Sequence, residues 1–206
     1  MLYPISFLDF ETTYLTPVPL FDGTRPYQQV PFQYSLHVLR KKGGKLTHSS
    51  WLADPDEGDP RPEFIENLLA DLPGKGTILA WNMTFEKQRL QELAAFSTGH
   101  ALAIAGVIDR LVDLIVPFRS QAVYDWRMAG SASLKSVLPA LIPELSYNKL
   151  EVADGGAASA AWLRMMESEE SDEKERLRQA LLCYCELDTL AMVRILEWLY
   201  YNCILL

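Results

Sequence analysis

Asp9 and Glu11, at the end of the run ISFLDFE, are the first acids whose spacing suggests chemistry. On a strand, alternation puts both side chains on one side, about 7 Å apart along the backbone. Carboxylates that close repel and raise each other's pKa unless they share a cation. Hard divalent ions such as Mg²⁺ favour oxygen ligands of this kind. Alone, D-x-E reads equally well as a solvated strand end. The second piece is Trp81-Asn82-Met83-Thr84-Phe85-Glu86. It reads as a strand end, a turn at Asn82 and a helix with Glu86 in its first turn, where the helix dipole favours an acid for structural reasons alone. The third piece is Tyr184-Cys185-Glu186-Leu187-Asp188. Tyr184 and Asp188, four apart, project from one helix face. Leu177, Ala180, Leu181, Ala191 and Ile195 share that face, so it should be core. Asp188 is then an acid in an apolar stripe and needs a partner, because an unpaired buried carboxylate is costly. Glu186 points elsewhere and reads as solvated surface.

These residues require elements to hold them. Ile5 to Phe10 has the pattern of a buried strand, Tyr34 to Arg40 of a second and Leu46 to Leu52 of a third, the last two joined through Lys41-Lys42-Gly43-Gly44 as a hairpin. Between the first two lies Thr12 to Gln33, with Pro17, Pro19, Pro26 and Pro31. Four prolines exclude a helix or an inner strand there, so a long structured loop is expected. Its aromatics (Tyr14, Phe21, Tyr27 and Phe32) favour order. Glu63 to Leu72 reads as a helix stopped by Pro73-Gly74, and Thr77 to Trp81 as a fourth strand. Thr84 can cap a helix to about Phe96. Ala101 to Leu114 reads as helical, Ser133 as the cap of a short helix containing Pro139, and Asp172 to Tyr201 as the longest helix. A meander followed by alternating strands and helices predicts an α/β fold, a mixed sheet flanked by helices. No repeat or linker divides residues 1–206, so one domain is expected.

Composition narrows the class. The 206 residues carry 19 Lys+Arg against 27 Asp+Glu, a net charge of −8, with 49% hydrophobic residues. That balance is globular. Glu167 to Glu175 holds six of the acids and one base, Lys174; the rest has 18 bases against 21 acids, so a polyanionic partner is compatible with a locally cationic site. Cys183, Cys185 and Cys203 are odd in number and lack C-x-x-C spacing, against a disulfide framework or zinc ribbon. No basic leader opens the chain and no eighteen apolar residues run together, so a soluble, cytoplasmic protein without membrane contact is expected.

In order, a strand-borne D-x-E, N-x-x-F-acid at a strand–helix junction, and Y-x-x-x-D on a late helix resemble the DnaQ-like (DEDD) superfamily of 3′–5′ exonucleases. The tyrosine places the resemblance in the DEDDy branch. FLDFET, GTRPYQQVPFQYS and CYCELDT are more closely similar to an uncharacterised bacterial family of DnaQ-like domains, over about Ile5 to Leu199. The resemblance implies a ribonuclease H-like sheet, antiparallel meander then parallel strands. It implies two Mg²⁺ or Mn²⁺ ions held by Asp9, Glu11, Glu86 and Asp188, with Tyr184 orienting or deprotonating the attacking water. Single-stranded DNA or RNA ends are the implied substrate, and such domains also occur within longer nuclease-related proteins. Glu86 stands where the superfamily usually has Asp, and a one-ångström displacement can cost ~100-fold in rate. That one feature supports the alternative, a weak or inactive nucleic-acid-binding scaffold. An endonuclease of ribonuclease H type shares the metal logic without needing the tyrosine. Asn82 reads as a helix cap or a substrate contact, and Lys135 as a phosphate contact at a helix start or a surface lysine. Phe10 and Trp81 read as core rather than stacking platforms. Asp109 and Asp113 read as an exposed helix face. His37, His48 and His100 share no spacing, which disfavours a histidine-type site.

Overall fold

The computed structural model describes residues 1–13 and 16–203. Strand β1 (Ile5–Thr13) lies at the centre of a five-stranded sheet of order β3-β2-β1-β4-β5. Strand β2 (Val30–Leu39) runs antiparallel to β1, and β3 (Leu46–Leu52) antiparallel to β2. Strands β4 (Thr77–Ala80) and β5 (Leu111–Asp113) are parallel to β1 and to each other. Gly76, at φ +95°, permits the approach of β4: a Cβ there would stand 2.0 Å from the Pro4 carbonyl oxygen.

Helices cover both faces, so β1 is almost wholly buried, its polar residues included. Leu8 and Phe10 face α1 (Arg61–Asp71), α2 (Thr84–Phe96) and α3 (Ala101–Ile108). There Phe10 meets Phe64 edge-on at 5.1 Å, a core residue as its sequence suggests. Ile5 and Phe7 point the other way; the short α4 (Val116–Arg119) follows β5, and α5 (Leu134–Leu141), α6 (Gly155–Glu167) and α7 (Ser171–Cys203) complete this second layer. Its anchor is Trp162 of α6, fully buried and stacked on Phe32 with centroids 4.8 Å apart. No helix of the described residues is long and apolar enough to cross a membrane.

Several boundaries differ from expectation. Thr12, Thr13 and Val30 to Gln33 belong to strands, which shortens the proline-rich loop. Pro31 is tolerated in β2 because it sits where the β1–β2 register shifts, beyond the Gln33–Leu52 end of the β3 ladder. Tyr14 lies outside the described residues. The expected helix Ala101 to Leu114 stops at Ile108: Leu111 to Asp113 pair with Ile78 to Ala80, and that tertiary partner overrides local helical preference. Helix α6 has no counterpart in the sequence expectation. The cap before α2 is Met83, without a side-chain hydrogen bond, and Thr84 is the first helical residue.

Candidate functional site

Alternation along β1 sends Asp9 and Glu11 to the side of Ile5 and Phe7, beneath α7. Asp9 is half-buried and Glu11 is 5% exposed. Strand β4 ends beside them, and Asn82 turns the chain at φ +66°, a left-handed position that asparagine tolerates. The Asn82 backbone N–H donates to Asp113 Oδ1 at 2.9 Å, and its side-chain oxygen accepts from Arg119 Nη2 at 2.9 Å. Asp113 is therefore a strand-end residue bracing this turn, not part of a helix face with Asp109. The turn delivers Glu86, 1% exposed, in the first turn of α2. Trp81 is half-buried, donating its indole N–H to the Ala132 carbonyl at 3.1 Å and packing on Phe118.

Helix α7 supplies Tyr184 and Asp188, both buried on one face with Leu177, Leu181, Ala191 and Ile195. The partner Asp188 requires is Tyr147, whose hydroxyl donates to Asp188 Oδ1 at 2.5 Å. Tyr147 lies in the irregular segment between α5 and α6, where no periodicity marks it. The Lys135 ammonium, at the start of α5, stands 5.2 Å from the Tyr184 ring centroid and 5.7 Å from that of Tyr147. Asp9, Glu11, Glu86, Asp188, Tyr184 and Asn82 line one open pocket of about 270 Å³. Gly155, in the first turn of α6, also borders it, close to Glu11. Lys135 and Tyr147 instead line a separate depression of about 380 Å³.

Burial holds protons on all four acids, and repulsion between acids adds to it for Asp9, Glu11 and Glu86. Burial, then the charge of Asp188, pushes Asp9 well above the ordinary carboxylate range. Burial, then Asp9 and Asp188, does the same to Glu11; burial, then Asp9, does it to Glu86. Asp188 is pushed up to about 6 by burial, against the Tyr147 hydroxyl, Lys135 and the Tyr184 hydroxyl, which favour its ionised form. Burial also pushes the Cys185 thiol up, so Cys185 is a neutral neighbour, its Sγ 3.7 Å from Asp9 Oδ2. Among the described residues, no Lys, Arg or His forms an ion pair with any of the four acids. Glu86 Oε2 is buried without a hydrogen-bond partner. Buried oxygens lacking compensating charge are the donor set that hard divalent cations satisfy.

A family profile described as a domain of unknown function, DUF2779, matches residues 6–133, more than half of the chain. That stretch includes Asp9, Glu11 and Glu86 and ends before Lys135, Tyr184 and Asp188. The chain is also 26% identical over 206 residues to the "Uncharacterized protein MG366 homolog" of Mycoplasma pneumoniae, a match covering 92% of this chain. It spans only 31% of that relative's length. On the extent of the family match, the chain belongs to the DUF2779 family.

Proposed function

We propose that the protein is a metal-dependent 3′–5′ exonuclease of the DnaQ-like, tyrosine-type branch, with a ribonuclease H-like fold, acting on single-stranded DNA or RNA. One observation carries the reading: four carboxylates and a tyrosine from three distant segments line one pocket, and among the described residues none of the four acids is ion-paired to Lys, Arg or His. The order of the sheet, an antiparallel meander continued by parallel strands, supports the fold part of the reading.

Asp9, Glu11, Glu86 and Asp188 would hold two Mg²⁺ or Mn²⁺ ions, which supply positive charge at the attacking and leaving oxygens of a phosphodiester. Tyr184 orients the attacking water. Without cations, burial and the surrounding acids keep its hydroxyl protonated with the proton directed at Asp188, so its oxygen accepts from the water and fixes it rather than acting as a base. The Tyr147 hydroxyl fixes the rotamer of Asp188. Lys135 attracts the phosphate approaching over the two tyrosine rings. Trp81 and Phe85 offer half-buried aromatic surface at the pocket rim. An unpaired terminal base stacks on such surface whatever its identity, which favours single strands without sequence selection.

The test is digestion of end-labelled and circular single strands in Mn²⁺ by the wild type, Asp188→Ala and Tyr184→Phe. The expected result is stepwise shortening from the 3′ end, circles left intact, loss of activity in Asp188→Ala, and a ~10²–10⁴-fold slower Tyr184→Phe that binds Mn²⁺ as the wild type does. Cleaved circles would replace the exonuclease with an endonuclease. No cleavage, with nucleic acid still bound, would favour a scaffold.

A further inference from the structure

Outside the acidic pocket, the β2–β3 register sets His37 directly opposite His48, with imidazole centroids 4.4 Å apart. Glu186 of α7 leans over the pair, its Oε1 3.6 Å from His48 Nδ1. One ligand atom from each of the three side chains falls within 4.8 Å of the others. We propose that His37, His48 and Glu186 form a second metal site, for a single zinc-class transition ion, separate from the carboxylate pocket.

The hydrogen bonds around the pair are compatible with the tautomers that such a site needs. Thr189 Oγ1 lies 3.1 Å from the Glu186 carbonyl oxygen and 3.5 Å from that of Cys185, which can only accept, and we assign its proton to them, as in other helical threonines. Its oxygen then accepts from His37 Nδ1–H at 2.8 Å and from the Ser35 hydroxyl at 2.7 Å. With its proton committed, Ser35 Oγ accepts from His48 Nε2–H at 3.0 Å. This relay protonates one nitrogen on each ring and leaves His37 Nε2 and His48 Nδ1 as lone pairs. A hydrogen-bonded far nitrogen is the usual support of a metal-bound imidazole.

Other features agree. Burial lowers the pKa of both rings, His37 to about 4, so both are neutral as ligands must be. Arg194, the cation whose charge acts on His37, is paired with Glu197 at 2.8 Å. The side chains of His48 and Glu186 are 25% and 49% exposed, which gives an ion a route in from solvent. Adjacent ligands of a tetrahedral zinc ion stand about 3.4 Å apart for ~2.1 Å bonds, close to the His48–Glu186 separation. Two imidazoles and one carboxylate select a borderline ion over Mg²⁺, leaving a fourth position for water.

The test is Zn²⁺ calorimetry in millimolar Mg²⁺ on metal-free wild type, His48→Ala, Glu186→Gln and Asp9→Asn, with Co²⁺ absorption as the coordination readout. His48 is on the edge strand β3 and Glu186 is exposed, so these variants spare the core. One equivalent should bind to the wild type and Asp9→Asn alike, and at least ~30-fold more weakly to His48→Ala and Glu186→Gln. Ser35→Ala, which removes the relay, should weaken it ~10–100-fold. ¹⁵N spectra of the metal-free protein should show His37 protonated at Nδ1 and His48 at Nε2. Zinc uptake indifferent to His48→Ala, uptake abolished by Asp9→Asn, or the opposite tautomers would each overturn the site. None of these results depends on nuclease activity, so the two proposals fail separately.

Discussion

Replacing Asp188 with asparagine should stabilise the metal-free protein at neutral pH. The carboxyl is 6% exposed and its pKa rises from an ordinary 3.8 to about 6 in the folded state. The folded chain therefore holds this proton more tightly than the unfolded one. Below about pH 4 both states are protonated and the full stability is present. As pH climbs through about 6 the folded state must accept a buried charge, and on the order of 3 kcal/mol is lost. Asparagine keeps the shape and still accepts from Tyr147, but carries no charge. In EDTA at pH 8, Asp188→Asn should melt roughly 6–12 °C above the wild type, at ~2–4 °C per kcal/mol for a chain of this size. At pH 4 the two should nearly coincide. Mn²⁺ at 1,000 times Kd should reverse the order, because only the wild type keeps the full ligand set and that occupancy is worth about 4.1 kcal/mol. The assay is urea unfolding across pH 4–8, with and without Mn²⁺. A wild type whose metal-free stability is flat over that range, or an asparagine variant less stable than it at pH 8, would refute the claim that Asp188 is buried with too little compensating charge.

Two further outcomes concern the packing and the cation at the rim. Trp162→Ala should lower unfolding stability by about 3–5 kcal/mol, since it removes a fully buried ring stacked on Phe32; a loss under 1 kcal/mol in urea titration would contradict its place as the anchor of that layer. Lys135→Gln should raise KM for single strands about 10-fold with little change in kcat, and reduce the salt dependence of binding by about one phosphate contact. An unchanged salt slope would make Lys135 a packing residue for Tyr147 and Tyr184.

What the sequence disclosed follows the range of the forces involved. The hairpin, α2 and α7 were legible because apolar period and turn residues act over a few positions. Strand β5 was not, since Leu111-Val112-Asp113 becomes a strand only where β4 offers a parallel edge. Helix α6 opens with Gly155-Gly156, which weakens a propensity reading; its usable signal was Asp154, whose carboxylate accepts from the Ala157 N–H. Asp9, Glu11, Glu86 and Asp188 were nameable from spacing and order, and they do meet in one pocket. Tyr147 was not, because nothing local ties an irregular segment to a residue 41 positions away. The facing histidines were legible in principle. His37 and His48 lie equally far from the Lys41 to Gly44 turn, and counting outward from its centre pairs them.

The placement of Asp188 on the last helix has a consequence for the chain as it is made. Strands β1 to β4 and helix α2, with Asp9, Glu11 and Glu86, can assemble from the first half of the sequence. Asp188 leaves the ribosome roughly 100 residues after Glu86, on the order of 5–20 s later at usual elongation rates. During that interval the nascent chain displays three acids that cannot complete the pocket, and Ile5 and Phe7 on the same bare face of β1 await the cover that α7 helps provide. The helix that finishes the site also finishes the core. A translating ribosome would thus carry an inert precursor with a sticky face, and the pocket would become whole only when that surface is sealed.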